Sequence, residues 1–169
     1  AYLAHSQLPG LAKAHGASIR YHPVDLKFLK SAALNTGPAT AQMPLKLRYA
    51  VADFKRWGQR YNVPFAFATA GIPDPVPSNK GAFFAIDRGQ ITDYAARMWH
   101  ATFGSGGHIG SEEILRQVAA DMGWNADEFI HFIHSDDAGK RFEESSQNAH
   151  ERGVFGVPTM MIGEELWWG

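Results

Sequence analysis

Apolar positions in this chain follow a helical period almost throughout and give way to strand-like patterns in only two places. Between residues 2 and 15, Leu3, Leu8, Leu11, Ala12 and Ala14 fall loosely on one helical face, interrupted by Pro9-Gly10. Ala17-Ser18-Ile19-Arg20-Tyr21-His22-Pro23-Val24-Asp25 alternates in places and holds β-branched and aromatic residues, which predicts a strand. A short helical stretch leads to Asn35-Thr36-Gly37-Pro38, a run rich in turn formers. Pro44 suits the first turn of a helix, and Leu47, Val51, Phe54, Gly58 and Tyr61 form one stripe of a long helix over 45–62. Three prolines make 71–78 a loop, and three helices are predicted near 79–103, 111–122 and 126–134. Ser111 ahead of Glu112 and Glu113 is a favourable N-terminus, and Asn125 with Glu128 resembles a capping box. A last helix, from about Asp136 to Arg152, turns Ala138, Phe142, Ser145 or Ser146, and Ala149 inward and stops at Gly153. After Pro158 the pattern becomes a hairpin: Thr159-Met160-Met161-Ile162, a Gly-Glu turn, then Leu166-Trp167-Trp168. One strand before a helical block and two after it predict an α/β fold, a single sheet with an inserted all-helical domain.

Composition narrows the function classes. The 169 residues are 45% hydrophobic and 20% charged, as in a soluble globular protein. Eleven Phe, five Tyr and five Trp suffice for a core plus an apolar pocket. Sixteen Lys and Arg against 17 Asp and Glu leave no global field to attract nucleic acid or an anionic membrane. The absence of cysteine excludes disulfides, protein thiolate nucleophiles and Cys-based zinc sites within this chain. No apolar run approaches the roughly 18 residues of a membrane span, and no signal-peptide pattern opens the sequence. A cytoplasmic protein is expected. Ala1-Tyr2-Leu3-Ala4 opens inside a helical pattern and Trp167-Trp168-Gly169 closes on two tryptophans, so further residues are expected beyond both ends.

Several residues invite chemistry. Lys46 lies in the first turn of the long helix, where a cation opposes the dipole, a misfit that points to an anionic ligand against the ordinary alternative of a solvated lysine. Asp53 and Arg56, three apart, can pair along the helix surface. His131-Phe132-Ile133-His134 with Asp136 and Asp137 raises a metal site, but no second cluster with ligand spacing and no H-E-x-x-H motif accompanies it, so polar-face histidines and no metal are expected. Phe103-Gly104-Ser105-Gly106-Gly107 lacks the features of a phosphate loop and reads as a helix-to-helix loop over a cleft. Gly156-Val157-Pro158-Thr159 joins the last helix to the hairpin. A proline at a strand's first residue is allowed because it need not donate to the ladder.

The sequence resembles the bacterial 2-hydroxychromene-2-carboxylate isomerases of aromatic catabolism, relatives of kappa-class glutathione transferases and DsbA-like proteins. The resemblance rests on Glu151-Arg152-Gly153-Val154-Phe155-Gly156-Val157-Pro158-Thr159-Met160, followed by Glu165-Leu166-Trp167-Trp168-Gly169. Earlier pieces fall in the family's order: Ala1-Tyr2-Leu3-Ala4, Ser18-Ile19-Arg20-Tyr21 with Val24-Asp25-Leu26, Asn35-Thr36-Gly37-Pro38, and Lys46, Tyr49, Asp53, Arg56 and Trp57. It implies a thioredoxin-like domain over 1–43 and 137–169, a helical insertion over 44–136, and glutathione bound between them. By resemblance, Val157 ahead of a cis Pro158 offers its backbone N–H and C=O to the cysteinyl part of glutathione in strand-addition geometry. Trp168 and Gly169 begin the segment that holds the γ-glutamyl end. Asn35 and Lys46 match glutathione-contacting positions, Lys30 faces the anionic substrate, and Thr40 and Ala41 stand where some relatives carry more polar residues at the substrate.

The resemblance also locates what these residues lack. The family's nucleophile-activating serine, in a Ser-Pro motif, is expected upstream of Ala1, so no catalytic residue falls within the chain, and an acidic residue is expected past Gly169. Ala1 itself aligns with the second cysteine of a DsbA-like redox motif, which argues against dithiol exchange. The implied reaction is the reversible conversion of 2-hydroxychromene-2-carboxylate to trans-o-hydroxybenzylidenepyruvate, with the nucleophile borrowed from glutathione, by a homodimer. Two other readings stay open: a kappa-class-like glutathione transferase, and a non-catalytic thioredoxin-fold module that binds peptides at the Val157-Pro158 edge.

Overall fold

The computed structural model describes residues 1–66 and 74–169. Residues 71–73 of the predicted loop over 71–78 therefore lie outside the described residues. Among them the chain runs through α1 (Tyr2–His5), α2 (Leu8–Ala14), α3 (Leu26–Ala32), a 3₁₀ turn (Thr40–Gln42), α4 (Pro44–Tyr61), α5 (Val76–Asp87), α6 (Ile91–Trp99), a π-helical turn (His100–Gly104), α7 (Glu112–Asp121), α8 (Ala126–Ile133) and α9 (Asp136–Glu151). It ends in β1 (Thr159–Ile162) and β2 (Glu165–Trp168). The two strands pair antiparallel with Thr159 opposite Trp168 and Ile162 opposite Glu165. Among the described residues the fold is mostly helical with a small two-stranded sheet.

Four sequence expectations need correcting. The helix over 2–15 is two helices, because Pro9 has no N–H for the His5 carbonyl and its ring crowds that carbonyl; α1 stops at His5 and α2 restarts with Pro9 in its first turn. The predicted strand over 17–25 is not one. A strand exists only as part of a ladder, and residues 18–24 make no backbone–backbone bond among the described residues. The helix near 79–103 is α5, α6 and the π turn, broken at Gly89 with φ +66°. Val76, Pro77 and Ser78, expected in a loop, open α5, where Pro77 suits the first turn.

Elsewhere local chemistry and structure largely agree. Asn125 accepts from the N–H groups of Asp127 (2.9 Å) and Glu128 (3.1 Å), but the Glu128 carboxylate pairs with Arg88 at 2.8 Å instead of closing the expected capping box, and Ser111 takes the cap position of α7 without a side-chain bond. In α9, Ala138, Phe142 and Ser146 are buried, and Gly153 at φ +85° ends it. The long helix α4 matches its predicted span, but of its apolar stripe only Gly58 is buried; Leu47 and Phe54 stay 38% and 41% exposed.

The main core lies in α5–α8. Phe129 is fully buried, with ring centroids 5.3 Å from Phe84, 5.4 Å from Trp124 and 5.9 Å from Tyr94. The Tyr94 hydroxyl donates to the Ser78 carbonyl at 2.8 Å, which satisfies it, while full burial drives its ionisation far above the usual tyrosine range. A Cβ at position 81 would come within 2.6 Å of both the Phe129 ring and the Tyr94 oxygen, so the packing admits only glycine.

Two links tie the rest of the chain together. Arg141 on α9 forms a two-pronged ion pair with Asp87 of α5, both contacts 2.7 Å, and its guanidinium lies 4.9 Å from the Phe83 ring centroid. The hydrogen bond from Arg141 holds the Asp87 carboxyl below its usual range. Near the N-terminus, buried His5 meets the Tyr21 hydroxyl through Nδ1 at 3.2 Å and packs edge-on against Trp99 at 4.7 Å. Burial lowers the His5 pKa, partly offset by a backbone hydrogen bond with Thr92. Burial, with Arg152 and Arg20 nearby, also lowers that of His22.

A histidine whose folded pKa is depressed leaves stability intact above its unfolded value near 6.5. That stability is lost as the pH falls from there toward the folded value, because only the unfolded chain takes up the proton. Urea midpoints measured from pH 7.5 to 5 are expected to fall on acidification. His5→Gln, which keeps a partner for Tyr21, flattens that slope in part, His22 supplying the remainder. An unchanged slope in His5→Gln would count against the assignment.

Candidate functional site

The loop after α9 is built by its own side chains. Thr159 donates its hydroxyl to the Gly156 carbonyl at 2.7 Å, closing the turn. The Val157–Pro158 peptide bond is cis, the isomer the resemblance implies. Beyond the last paired residues, the Gly169 N–H donates to the Pro158 carbonyl at 3.2 Å. Val157 is the next position along that edge. It is 37% exposed, and its own N–H and C=O make no hydrogen bond among the described residues. An unpaired donor and acceptor on one partly exposed residue at the end of a hairpin offer a docking edge for a peptide-like ligand.

Trp168 stands beside this edge. It stands opposite Thr159 across the hairpin, which brings its indole over Gly156: a Cβ there would lie 2.7 Å from Trp168 Nε1. Phe155 packs on the same ring at 5.3 Å between centroids, yet Trp168 remains 61% exposed. An exposed aromatic plane beside an unpaired backbone edge can hold the aliphatic part of a peptide while the edge binds its amide. Sequence reasoning missed Phe155 and the close approach at Gly156; the glycine just ahead of Val-Pro was the available signal.

The other predicted residues lie along 30–46 of the chain, and no contact joins their side chains to the Val157 edge among the described residues. Lys30 lies in the last turn of α3, and the Asn35 N–H donates to its carbonyl at 2.8 Å, which ends the helix. Leu34 takes the left-handed conformation at φ +57° to allow this. Thr40 opens the 3₁₀ turn, and its carbonyl accepts the N–H of Met43 at 3.1 Å. Lys46 projects from the first turn of α4, which holds no acidic residue. Neither Lys30 nor Lys46 lies within ion-pairing distance of a carboxylate among the described residues. Asp53 and Arg56 approach to 3.6 Å, as their spacing predicts. His131 and His134 are exposed on α8 and its cap, and no group of three metal-ligating side chains comes together among the described residues. Phe103-Gly104 belongs to the π turn, with 105–107 forming the expected loop after it.

This combination of hairpin, preceding loop and surrounding helices defines a class. The chain belongs to the DsbA-like thioredoxin family: the DSBA-like thioredoxin domain matches residues 1–169. Among curated proteins it is 36% identical over 168 residues to a 2-hydroxychromene-2-carboxylate isomerase of Pseudomonas putida, covering 99% of this chain and 82% of that one. A second isomerase of the same name, from Sphingobium xenophagum, is 32% identical over 169 residues, covering 99% and 85%. A solved structure of 2-hydroxychromene-2-carboxylate isomerase superposes with a TM-score of 0.93 at 36% identity, over 99% of this chain and 82% of that one.

Proposed function

We propose that this chain is an isomerase that interconverts 2-hydroxychromene-2-carboxylate and trans-o-hydroxybenzylidenepyruvate in the breakdown of naphthalene and related aromatics, with glutathione as cofactor. The observation that carries the activity is the near full-length likeness, in sequence and in backbone, to isomerases of that name. Support for glutathione comes from the donor set: the free backbone edge of Val157 fits an extended γ-glutamyl tripeptide. The thiol chemistry that a chain without cysteine cannot perform is what bound glutathione supplies.

The chain's own residues then have defined tasks. Val157 holds the cysteinyl backbone through its N–H and C=O, which fixes where the thiol points. Pro158 closes that edge, and Trp168 and Gly169 bear the γ-glutamyl end. Asn35 donates to the peptide, and Lys46 meets one of its carboxylates at the start of α4. Lys30 attracts the substrate carboxylate, with Thr40 beside it. The cleft lies between the thioredoxin-like residues, 1–43 and 137–169, and the insertion, 44–136. No helix among the described residues is long and apolar enough to cross a membrane; we place the enzyme in the cytoplasm as a homodimer.

Turnover of 2-hydroxychromene-2-carboxylate, followed by absorbance with and without glutathione, tests the reading. Activity is expected only with glutathione, and its absence at saturating cofactor overturns the assignment. Preferential conjugation of a chlorinated aromatic would point instead to a kappa-class-like glutathione transferase. Calorimetry showing no glutathione binding would leave a non-catalytic peptide-binding module.

A further inference from the structure

Phe155 has no task in the proposed function, yet it stands just ahead of the docking edge. Burial alternates along this stretch: Val154 and Gly156 are buried, while Phe155 and Val157 are 38% and 37% exposed. Phe155 and Val157 are thus open to solvent together. The stretch is pinned at both ends. The Val154 N–H donates to the Ala149 carbonyl at 2.9 Å, and the Gly156 carbonyl accepts from the Thr159 hydroxyl at 2.7 Å. A half-exposed phenyl ring outside the main core adds little to stability. The one aromatic ring that Phe155 meets among the described residues is that of Trp168, 5.3 Å away between centroids and tilted by 54°.

That contact fixes the orientation of an indole that little else holds. Trp168 is the last residue of β2 and 61% exposed, and its indole N–H makes no hydrogen bond among the described residues. An amphipathic side chain at a surface keeps its polar tip in water and lays its apolar body on the protein. Trp168 does the reverse. Its nitrogen edge is turned to the buried Gly156, where a Cβ would lie 2.7 Å from Nε1 and 3.4 Å from Cδ1 and Cε2, while most of the ring stays open. Keeping that one pose costs rotamer freedom that an exposed side chain otherwise retains. Gly156 supplies the space for it, and Phe155 supplies the attraction, at a separation within the range of favourable aromatic pairs.

We propose that Phe155 is a positioning residue of the glutathione site: it braces Trp168 against Gly156, so that the open part of the indole stands as a fixed wall beside the Val157 edge. This rests on the glutathione reading of that edge. A peptide whose amide pairs with the Val157 backbone then meets a wall already in place and does not have to order it on binding, which is how preorganisation gains affinity. The gain is no larger than the ring pair that provides it.

Calorimetric Kd values for reduced glutathione test this with Phe155→Leu, which keeps apolar volume without a ring, and Phe155→Tyr, which keeps the ring; the leucine change is then repeated in Trp168→Ala. Phe155→Leu is expected to weaken binding about three- to ten-fold, the range of one aromatic pair, with a melting temperature near that of wild type. Phe155→Tyr is expected to keep the wild-type Kd. In Trp168→Ala the leucine change is expected to have no further effect, because Phe155 acts through the indole. Wild-type affinity in Phe155→Leu overturns the proposal, as does an equal loss in Phe155→Tyr. The same loss in the Trp168→Ala background also overturns it and would place Phe155 against the ligand itself. If a leucine variant does not fold, the nuclear magnetic resonance order parameter of the Trp168 Nε1–H in unliganded wild type decides: a rigid value near about 0.85 is expected, and one below about 0.6 overturns the proposal. A wild-type chain that binds no reduced glutathione overturns the cofactor reading and this proposal with it; each of the other failures leaves that reading standing.

Discussion

Phe129→Ala is expected to lower the unfolding free energy by about 3–5 kcal/mol, the usual cost of deleting a fully buried phenyl ring from a core. Its neighbours leave little room to relax. Phe84, Tyr94 and Trp124 surround the ring, and Tyr94 and Trp124 are themselves held by hydrogen bonds to the Ser78 carbonyl and the Gln90 side chain. A cavity therefore persists and the loss falls at the upper end. Urea unfolding monitored by circular dichroism measures it. A loss under about 1.5 kcal/mol, the range of a well-tolerated core swap, would mean that the α5–α8 core is not packed as described.

Val157→Pro is expected to weaken glutathione binding about ten- to a hundred-fold while Val157→Ala leaves it nearly unchanged. The contrast isolates the backbone. Both variants remove the valine side chain, but only proline removes the N–H, and a bound amide carbonyl left without its donor costs about 1–3 kcal/mol. The fold itself does not depend on that N–H, which has no partner among the described residues. Melting temperatures near that of wild type and calorimetric Kd values together decide the matter. Equal weakening in both variants would assign the interaction to the side chain and refute strand addition.

How far these features could be read in advance depended on how local their causes are. Asn125 announced the start of α8 and Gly153 the end of α9 because caps and left-handed stops are fixed by a few adjacent residues. The hairpin and its Val-Pro approach were legible for the same reason. Residues 17–25 carried strand-like composition, but a strand also needs a neighbour, and that is a tertiary fact. The α4 stripe was read correctly as periodic, yet periodicity does not say what lies against it, and Leu47 and Phe54 are left substantially exposed. The π turn was not legible because no side-chain cap marks it and its glycine-rich end reads equally well as an ordinary loop. At the candidate site the motif residues were visible in sequence. The indole over Gly156 was not, since it depends on the register that sets Trp168 against Thr159.

The links made by α9 have a mechanical consequence. Near its first half the paired Arg141–Asp87 contact fastens it to α5. Near its second half the Ser146 hydroxyl receives the N–H of Asp25, the residue that caps α3. A shaft clamped at two points resists both bending and rotation, so α5, α3 and the root of the Val157 loop travel together. A peptide laid along the Val157 edge would therefore press on a backbone braced through α9 to two other helices, not on a free loop.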